Sequence, residues 1–134
     1  MRTVSELIAK EGRAIGSVSP ESTVYEAISL MEEKDIGAVL VFEDDRLVGI
    51  FTERDYARKL LLEGRSSMRT KIKATMTSDI ISVTPDETIE NCMSFMMNNR
   101  FRHLPVLDDD EFIGLITIWD LIAEMAPGGQ VADG

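Results

Sequence analysis

The chain has 134 residues and a mass of 14.9 kDa, enough for one ordinary domain or two very small ones. Apolar residues make up 44% and charged residues 28%, as in typical soluble domains, and 14 Lys+Arg against 24 Asp+Glu give a net charge of −10. This acidity disfavours general nucleic-acid binding, and the single cysteine, Cys92, excludes an internal disulfide framework and a cysteine-rich metal site. Because no segment resembles a membrane span or a signal peptide, we expect a cytoplasmic protein that does not bind membranes.

The first half of the chain predicts a short amphipathic helix, marked by Val4, Leu7 and Ile8, and then a β-α-β-β-α unit. Thr23 stands at the N-cap position of the first helix of the unit. The apolar face of that helix has spacing i, i+3, i+4, i+7 and comprises Val24, Ala27, Ile28 and Met31. The predicted strands are 15–18, 38–42 and 47–52, an acidic turn joins the last two, and a helix follows over about 53–63.

The second half repeats this pattern at a constant offset of 65 residues, as Val18/Val83, Gly49/Gly114 and Asp55/Asp120 illustrate. The equivalent helix face comprises Ile89, Cys92, Met93 and Met96, after a cap at Thr88. Strands are predicted at 80–83, 103–107 and 112–117, and a helix at 118–126. The sequence therefore predicts a mixed α/β (α+β) fold of two β-α-β-β-α repeats, packed pseudo-symmetrically through their sheets.

The predicted boundaries are a first repeat with the N-terminal helix at 1–64, a basic linker at 65–79, a second repeat at 80–126 and a flexible tail at 127–134. Leu30, Phe95 and Met97 lie off the main apolar faces of their helices. They indicate either a second apolar surface, for the other repeat or another subunit, or simple partial exposure.

Three short motifs carry a resemblance to a known family. They are S-V-[ST]-P before a helix, a strand that reads G-A-V-L-V in the first repeat and R-H-L-P-V in the second, and G-h-[FI]-T-x-x-D leading into the last helix. Together they resemble the cystathionine-β-synthase (CBS) domain, here as a stand-alone tandem pair or Bateman module. The resemblance covers about residues 3–126.

The resemblance implies that an adenosine ligand binds in the clefts between the repeats: AMP, ADP, ATP, NAD(H) or S-adenosylmethionine. It implies that Asp55 and Asp120 accept hydrogen bonds from the ribose hydroxyls, consistent with an acceptor-only carboxylate. Phosphate would be bound by Thr52, Thr117, Arg54, Arg102 and His103. Adenine would be lined by Ser17, Val18, Gly37, Ala38, Ile81, Ser82, Leu104 and Pro105.

Each Thr-x-x-Asp motif is also close to a capping box, in which Thr and Asp satisfy the start of a helix, and the same residues can serve both roles. The repeats differ within the motif, T-E-R-D in the first and T-I-W-D in the second. We therefore expect different ligands, one a mononucleotide and one with a longer phosphate chain, and we interpret Trp119 as a packing residue.

Seven of the 14 cations fall within residues 54–73: Arg54, Arg58, Lys59, Arg65, Arg69, Lys71 and Lys73. This cluster predicts either a polyphosphate contact or a solvated linker, and RNA binding is a weaker alternative.

The sequence contains no nucleophile–base pair, phosphate-binding glycine motif or metal-ligand spacing. We therefore expect a regulatory energy sensor rather than an enzyme. It would have no catalytic cofactor or metal, would form a homodimer, and would act on a separate effector protein. The alternative is a ligand-free structural or interaction module.

Overall fold

A computed structural model describes residues 2–11 and 16–125. These residues form two compact units: residues 16–80, the repeat-one unit, and residues 2–11 with 81–125, the repeat-two unit. Both units combine helices with a small sheet, so the predicted mixed α/β class is confirmed.

The repeat-one unit is built on a three-stranded sheet. Its elements are β1 Ser17–Val18, α2 Val24–Lys34, β2 Ala38–Glu43, β3 Arg46–Thr52, α3 Glu53–Tyr56, a π-helical turn Ala57–Leu61 and a 3-10 turn Ile72–Ala74. Strand β1 is parallel to β2, and β3 is antiparallel to it. The predicted strand at 15–18 is shorter here, and its residue 15 lies outside the described residues. The core comprises Val24, Ala27, Met31, Val39, Val41, Phe51, Leu60 and Ile72.

The repeat-two unit contains α1 Val4–Glu11, α4 Ile89–Asn99, β4 His103–Asp108, β5 Glu111–Thr117 and α5 Ile118–Met125. The strand predicted at 80–83 is reduced to one parallel bridge between Val83 and Val106. A proline explains the difference. In repeat one, Leu40 N–H donates to Gly16 O at 3.0 Å. The position equivalent to Leu40 is Pro105, which has no N–H to donate.

Helix α1 packs in the repeat-two unit, whereas the sequence analysis grouped it with the first repeat. Val4 and Leu7 are 0% and 2% exposed and belong to the same core as Leu104 and Leu121. Val4 N–H donates to Glu87 O at 2.9 Å. The amphipathic helix was predicted correctly, but its periodicity carries no information about which repeat it contacts.

Residues 65–79 are likewise packed against the repeat-one unit, and they are not a free linker. Ile72 is fully buried in its core, and Thr77 forms a bridge with Ile50. The predicted tail at 127–134 lies outside the described residues.

The two flanking segments, residues 2–5 and 70–73, make the same backbone hydrogen bonds with their respective units. In the repeat-two unit, Val4 N–H donates to Glu87 O at 2.9 Å; in the repeat-one unit, Ile72 N–H donates to the equivalent Ser22 O at 2.8 Å. The next residues follow the same pattern: Ser5 N–H donates to Pro85 O at 2.8 Å, and Lys73 N–H donates to Pro20 O at 3.1 Å. In return, Ile89 N–H donates to Arg2 O at 3.3 Å, and Val24 N–H donates to Thr70 O at 2.8 Å. The flanking segments are offset by 68 residues rather than 65, so an ungapped alignment does not reveal them.

Candidate functional site

The Thr-x-x-Asp motif of repeat one forms a capping box at the start of α3. Thr52 ends β3 in an extended conformation and is the N-cap. Its N–H and hydroxyl both contact Asp55 Oδ2, at 2.9 and 3.2 Å, and Asp55 N–H donates back to Thr52 Oγ1 at 3.3 Å. Local sequence explains this arrangement, because Thr and Asp three residues apart satisfy donors that helix hydrogen bonds leave unpaired.

Repeat two has the same arrangement at the start of α5. Thr117 N–H donates to Asp120 Oδ2 at 2.9 Å, and Asp120 N–H donates to Thr117 Oγ1 at 3.2 Å. Both aspartates are nearly buried, with 7% exposure for Asp55 and 4% for Asp120. The capping interpretation of both motifs is therefore confirmed, and the ribose role stays a prediction.

The first amides of α3 and α5 are already hydrogen-bonded inside their units. Glu53 N–H donates to Gly37 O at 3.2 Å, and Ile118 N–H donates to Arg102 O at 2.9 Å. Together with the capping bonds, these contacts use amides that were expected to attract phosphate. Phosphate binding at these helix starts would therefore depend more on side chains than the sequence indicates.

The strand starts predicted to line the ligand lie beside the capping boxes. Ala38 is paired with Thr52 across the β2–β3 hairpin, and His103 with Thr117 across the β4–β5 hairpin. The predicted adenine-lining residues differ in accessibility. Ala38, Leu104 and Pro105 are buried, Val18 and Gly37 are partly exposed, and Ser17, Ile81 and Ser82 are exposed. The predicted phosphate-binding residues Arg54 and Arg102 are exposed, and His103 is partly buried.

Asp55 takes part in a larger set of contacts, the Asp55 cluster, which comprises Thr52, Asp55, Lys59, Thr75 and Thr77. Lys59 Nζ lies 3.0 Å from Asp55 Oδ1, and Thr77 Oγ1 donates to the same oxygen at 3.0 Å. Lys59 Nζ also donates to Thr75 O at 2.8 Å. The spacing of Asp55 and Lys59, four residues apart on a helix, could have indicated their ion pair. Nothing in the sequence links Asp55 to Thr77, which is brought in by the 70–77 chain segment.

Most of the basic cluster is paired with nearby acids. Lys71 and Lys73 each lie 2.7 Å from a different oxygen of Glu21, and Arg65 lies 3.6 Å from Glu63. The two lysines hold the pKa of Glu21 at about 2, well below its ordinary value. With the Lys59–Asp55 pair, these ion pairs bring three carboxylates against four of the seven cations, so less net positive charge faces a polyanion than the sequence indicates.

Several large apolar side chains remain on the surface. Trp119, interpreted from sequence as a packing residue, is 65% exposed, so it does not pack into the core of the repeat-two unit. Phe95 and Met97 on α4 are also exposed, whereas Leu30 packs partly against the repeat-one core. Among residues 2–11 and 16–125, no three His, Cys, Asp or Glu side chains are grouped as a metal site would require, and no helix has the length and hydropathy to cross a membrane.

The CBS domain model matches residues 4–62 and 71–127, so each match contains one β-α-β-β-α repeat. This chain belongs to the CBS-domain family. The resemblance seen in the sequence motifs is thereby confirmed, and the two capping boxes are equivalent positions of a CBS pair.

Proteins similar to this chain include one of known structure and two that match by sequence alone. A CBS-domain protein from Burkholderia ambifaria is 43% identical, with a TM-score of 0.91 covering 99% of this chain and 100% of that one. The mitochondrial protein CBSX3 of Arabidopsis thaliana is 39% identical over 90% of this chain, which spans 63% of CBSX3. An inosine-5'-monophosphate dehydrogenase of Methanocaldococcus jannaschii is 35% identical over 91% of this chain but only 23% of the enzyme. The similarity to that enzyme therefore concerns a small part of it.

Proposed function

We propose that this CBS pair is a regulatory, energy-sensing module that binds adenosine nucleotides and acts on a separate effector protein, without catalysis of its own. The observation that carries the proposal is the pair of nearly buried carboxylates, Asp55 and Asp120, each held in the same geometry at a helix start beside a strand start. CBSX2, a protein of the same fold with a TM-score of 0.74 and 24% identity, was solved in complex with AMP. AMP is therefore the first ligand to test.

In the proposed mechanism, each carboxylate accepts hydrogen bonds from the 2′ and 3′ hydroxyls of a ribose. An ionised carboxylate donates nothing and accepts from several donors, so it suits a diol. Thr52, Thr117, Arg54, Arg102 and His103 are the proposed phosphate contacts. Ligand binding then shifts a conformational equilibrium by the difference in affinity between two states.

A ligand panel tests the proposal by thermal unfolding and calorimetry with AMP, ADP, ATP, NAD, NADH and S-adenosylmethionine, each against GMP as a control. At about 100 times its dissociation constant, a true ligand adds about 2.7 kcal/mol to the free energy of unfolding. The finer comparison is AMP against 2′-deoxyAMP, because the deoxy form lacks one of the two proposed donors. We expect the preference for AMP to decrease in Asp120→Asn, where Asp55 alone keeps its ribose contact, and to fall towards one in the double variant Asp55→Asn/Asp120→Asn.

The matched control is Asp109→Asn, the same chemical change at the exposed tip of the β4–β5 hairpin. A purely structural effect of Asp120→Asn would weaken the binding of AMP and of 2′-deoxyAMP equally. The ratio of the two dissociation constants therefore isolates the ribose contact. Equal binding of the two nucleotides by the wild-type protein, or binding of neither, would contradict the proposal.

One observation favours the alternative, a ligand-free interaction module. Asp55 is engaged by four donors, which come from Thr52, Lys59 and Thr77, as a purely structural cap would be. This alternative predicts a flat ligand panel and binding of a protein partner through exposed surface alone.

We further propose a homodimer, since exposed apolar side chains on α4 and α5, including Phe95, Met97, Trp119 and Ile122, are left without cover in the single chain. Sedimentation with and without AMP tests this.

The unpaired Cys92 fits a reducing compartment, and we propose the cytoplasm. The name of CBSX3 places that relative in mitochondria.

A further inference from the structure

We propose that Lys59 sets the ligand affinity of the repeat-one site by competing with the ribose for Asp55. The inference rests on the proposed function, because it assigns a role to a residue beside the proposed ribose acceptor. It concerns only contacts within the repeat-one unit.

The first step is the occupancy of the carboxylate. A carboxylate has about four acceptor positions, and Asp55 already receives four donors. Two reach Oδ2 from Thr52, and two reach Oδ1 from Lys59 and Thr77. A ribose diol can therefore form a hydrogen bond with Asp55 only when one of these donors is displaced. The donors on Oδ1 do not belong to the capping box, so Oδ1 is the oxygen that a ribose can reach without breaking the cap.

The second step identifies which donor matters most. Lys59 forms a charge-assisted contact of 3.0 Å with a carboxylate whose side chain is 10% exposed. Such contacts are stronger than neutral hydrogen bonds. When the ribose hydroxyls displace the Lys59 ammonium from Asp55, the loss of this contact therefore reduces the free energy of ligand binding. The lysine side chain is 37% exposed, and solvent screening reduces that cost without removing it.

The third step is the difference between the repeats. The residue equivalent to Lys59 in repeat two is Glu124, which pairs with Arg2 at 3.6 Å. A lysine competitor at this helical position is thus specific to repeat one. The repeats therefore differ at this helical position as well as within T-E-R-D and T-I-W-D.

Displacement of Lys59 also has a local structural consequence. Lys59 donates to Thr75 O, and Thr75 is 1% exposed, so the lysine connects the π-helical turn Ala57–Leu61 to the 70–77 segment. Ligand binding at Asp55 is therefore expected to weaken the nearby bond from Thr77 N–H to Ile50 O, at 2.9 Å, and to speed exchange of that amide.

The experiment compares AMP and 2′-deoxyAMP binding by calorimetry in an Asp120→Asn background, where ribose-dependent binding reports on Asp55. Lys59→Met removes the ammonium group and keeps the apolar stem. Lys71→Met removes an equal charge from the exposed pair with Glu21 in the same unit and is the matched control. Lys59→Gln, which keeps a donor for Thr75 O, is the second variant if the methionine variant fails to fold.

We expect Lys59→Met to bind AMP about threefold to tenfold tighter, with an increased preference over 2′-deoxyAMP, and Lys71→Met to change affinity less than about twofold. Unchanged or weaker AMP binding by Lys59→Met, in a protein whose wild type shows a ribose preference, would overturn the role of Lys59 and leave the proposed function standing. Absence of ribose preference in the wild type and in every variant would overturn both.

Discussion

Cys92 shows how burial can lower the reactivity of a thiol. The thiol is fully buried on α4, and desolvation, with a smaller effect of the Glu87 charge, raises its pKa to about 11. Because the thiolate is the reactive form, we predict very slow labelling by a thiol reagent at pH 8 in the native protein and rapid labelling in urea. The time course of a disulfide-exchange dye checks this. Equal rates in both conditions would contradict the buried position.

The capping hydroxyls carry a stability prediction at the same scale. Thr117→Val keeps the shape of the side chain but removes the acceptor for Asp120 N–H. We expect a loss of about 0.5–2 kcal/mol in the free energy of unfolding, as for other N-cap deletions. Urea unfolding measures it, and a change below a few tenths of a kcal/mol would mean that the cap contributes little.

At the scale of elements, ion pairs from Glu21 to Lys71 and Lys73 connect residues 71–73 to the turn before α2. Lys71 and Lys73 lower its pKa to about 2 in the folded protein, below the ordinary value of 4.5. A depressed folded-state pKa stabilises the fold above pH 4.5, and this contribution is lost as the pH falls towards 2.

We therefore predict that Glu21→Gln lowers stability at pH 7, and that its difference from the wild type shrinks at pH 3 and in high salt. Urea midpoints of both proteins across that pH range provide the measurement. A difference independent of pH would show that the ion pairs are not its cause. The groups are exposed, so screening by salt is expected to be strong.

Two equivalent glycines allow the flanking chain to approach the sheets. A Cβ at Gly49 would lie 2.5 Å from Met76 Sδ and 3.2 Å from the backbone Thr77 O, and one at Gly114 would lie 3.0 Å from Ile8 Cδ1. We predict that Gly49→Ala costs about 1–3 kcal/mol by overpacking, more than Gly114→Ala. A double-mutant cycle with Met76→Ala separates this clash from other effects, because relief of the clash makes the two changes non-additive.

The structure shows which elements were accessible to sequence reasoning. Helix faces and hairpins follow local periodicity, so the starts of α2 and α4 and the bounds of the four hairpin strands were predicted within one residue. The π-helical turn at Ala57–Leu61 was not, since its i to i+5 bonds leave no distinctive apolar spacing. The site was predictable where it is local, as in Thr-x-x-Asp, and unpredictable where Thr77 reaches Asp55 from 22 positions away.

At the scale of the whole molecule, each unit includes chain from outside its β-α-β-β-α repeat. Val4 and Leu7 complete the repeat-two core, and Ile72 completes the repeat-one core. We predict that deletion of residues 1–11 increases amide exchange in 89–121 while exchange in 24–60 changes little. Hydrogen exchange with mass spectrometry tests this, and loss of protection centred on 24–60 would contradict the assignment of α1.

This arrangement has a consequence for synthesis on the ribosome. The repeat-one unit has all its described residues once position 80 has emerged. Helix α1 is made before the repeat-one unit and must wait for the β4–β5 hairpin and α5, which are made after that unit, before Val4 and Leu7 are covered. A nascent chain therefore carries the uncovered apolar face of α1 throughout synthesis of the repeat-one unit, which makes α1 a candidate for chaperone contact and early misassembly.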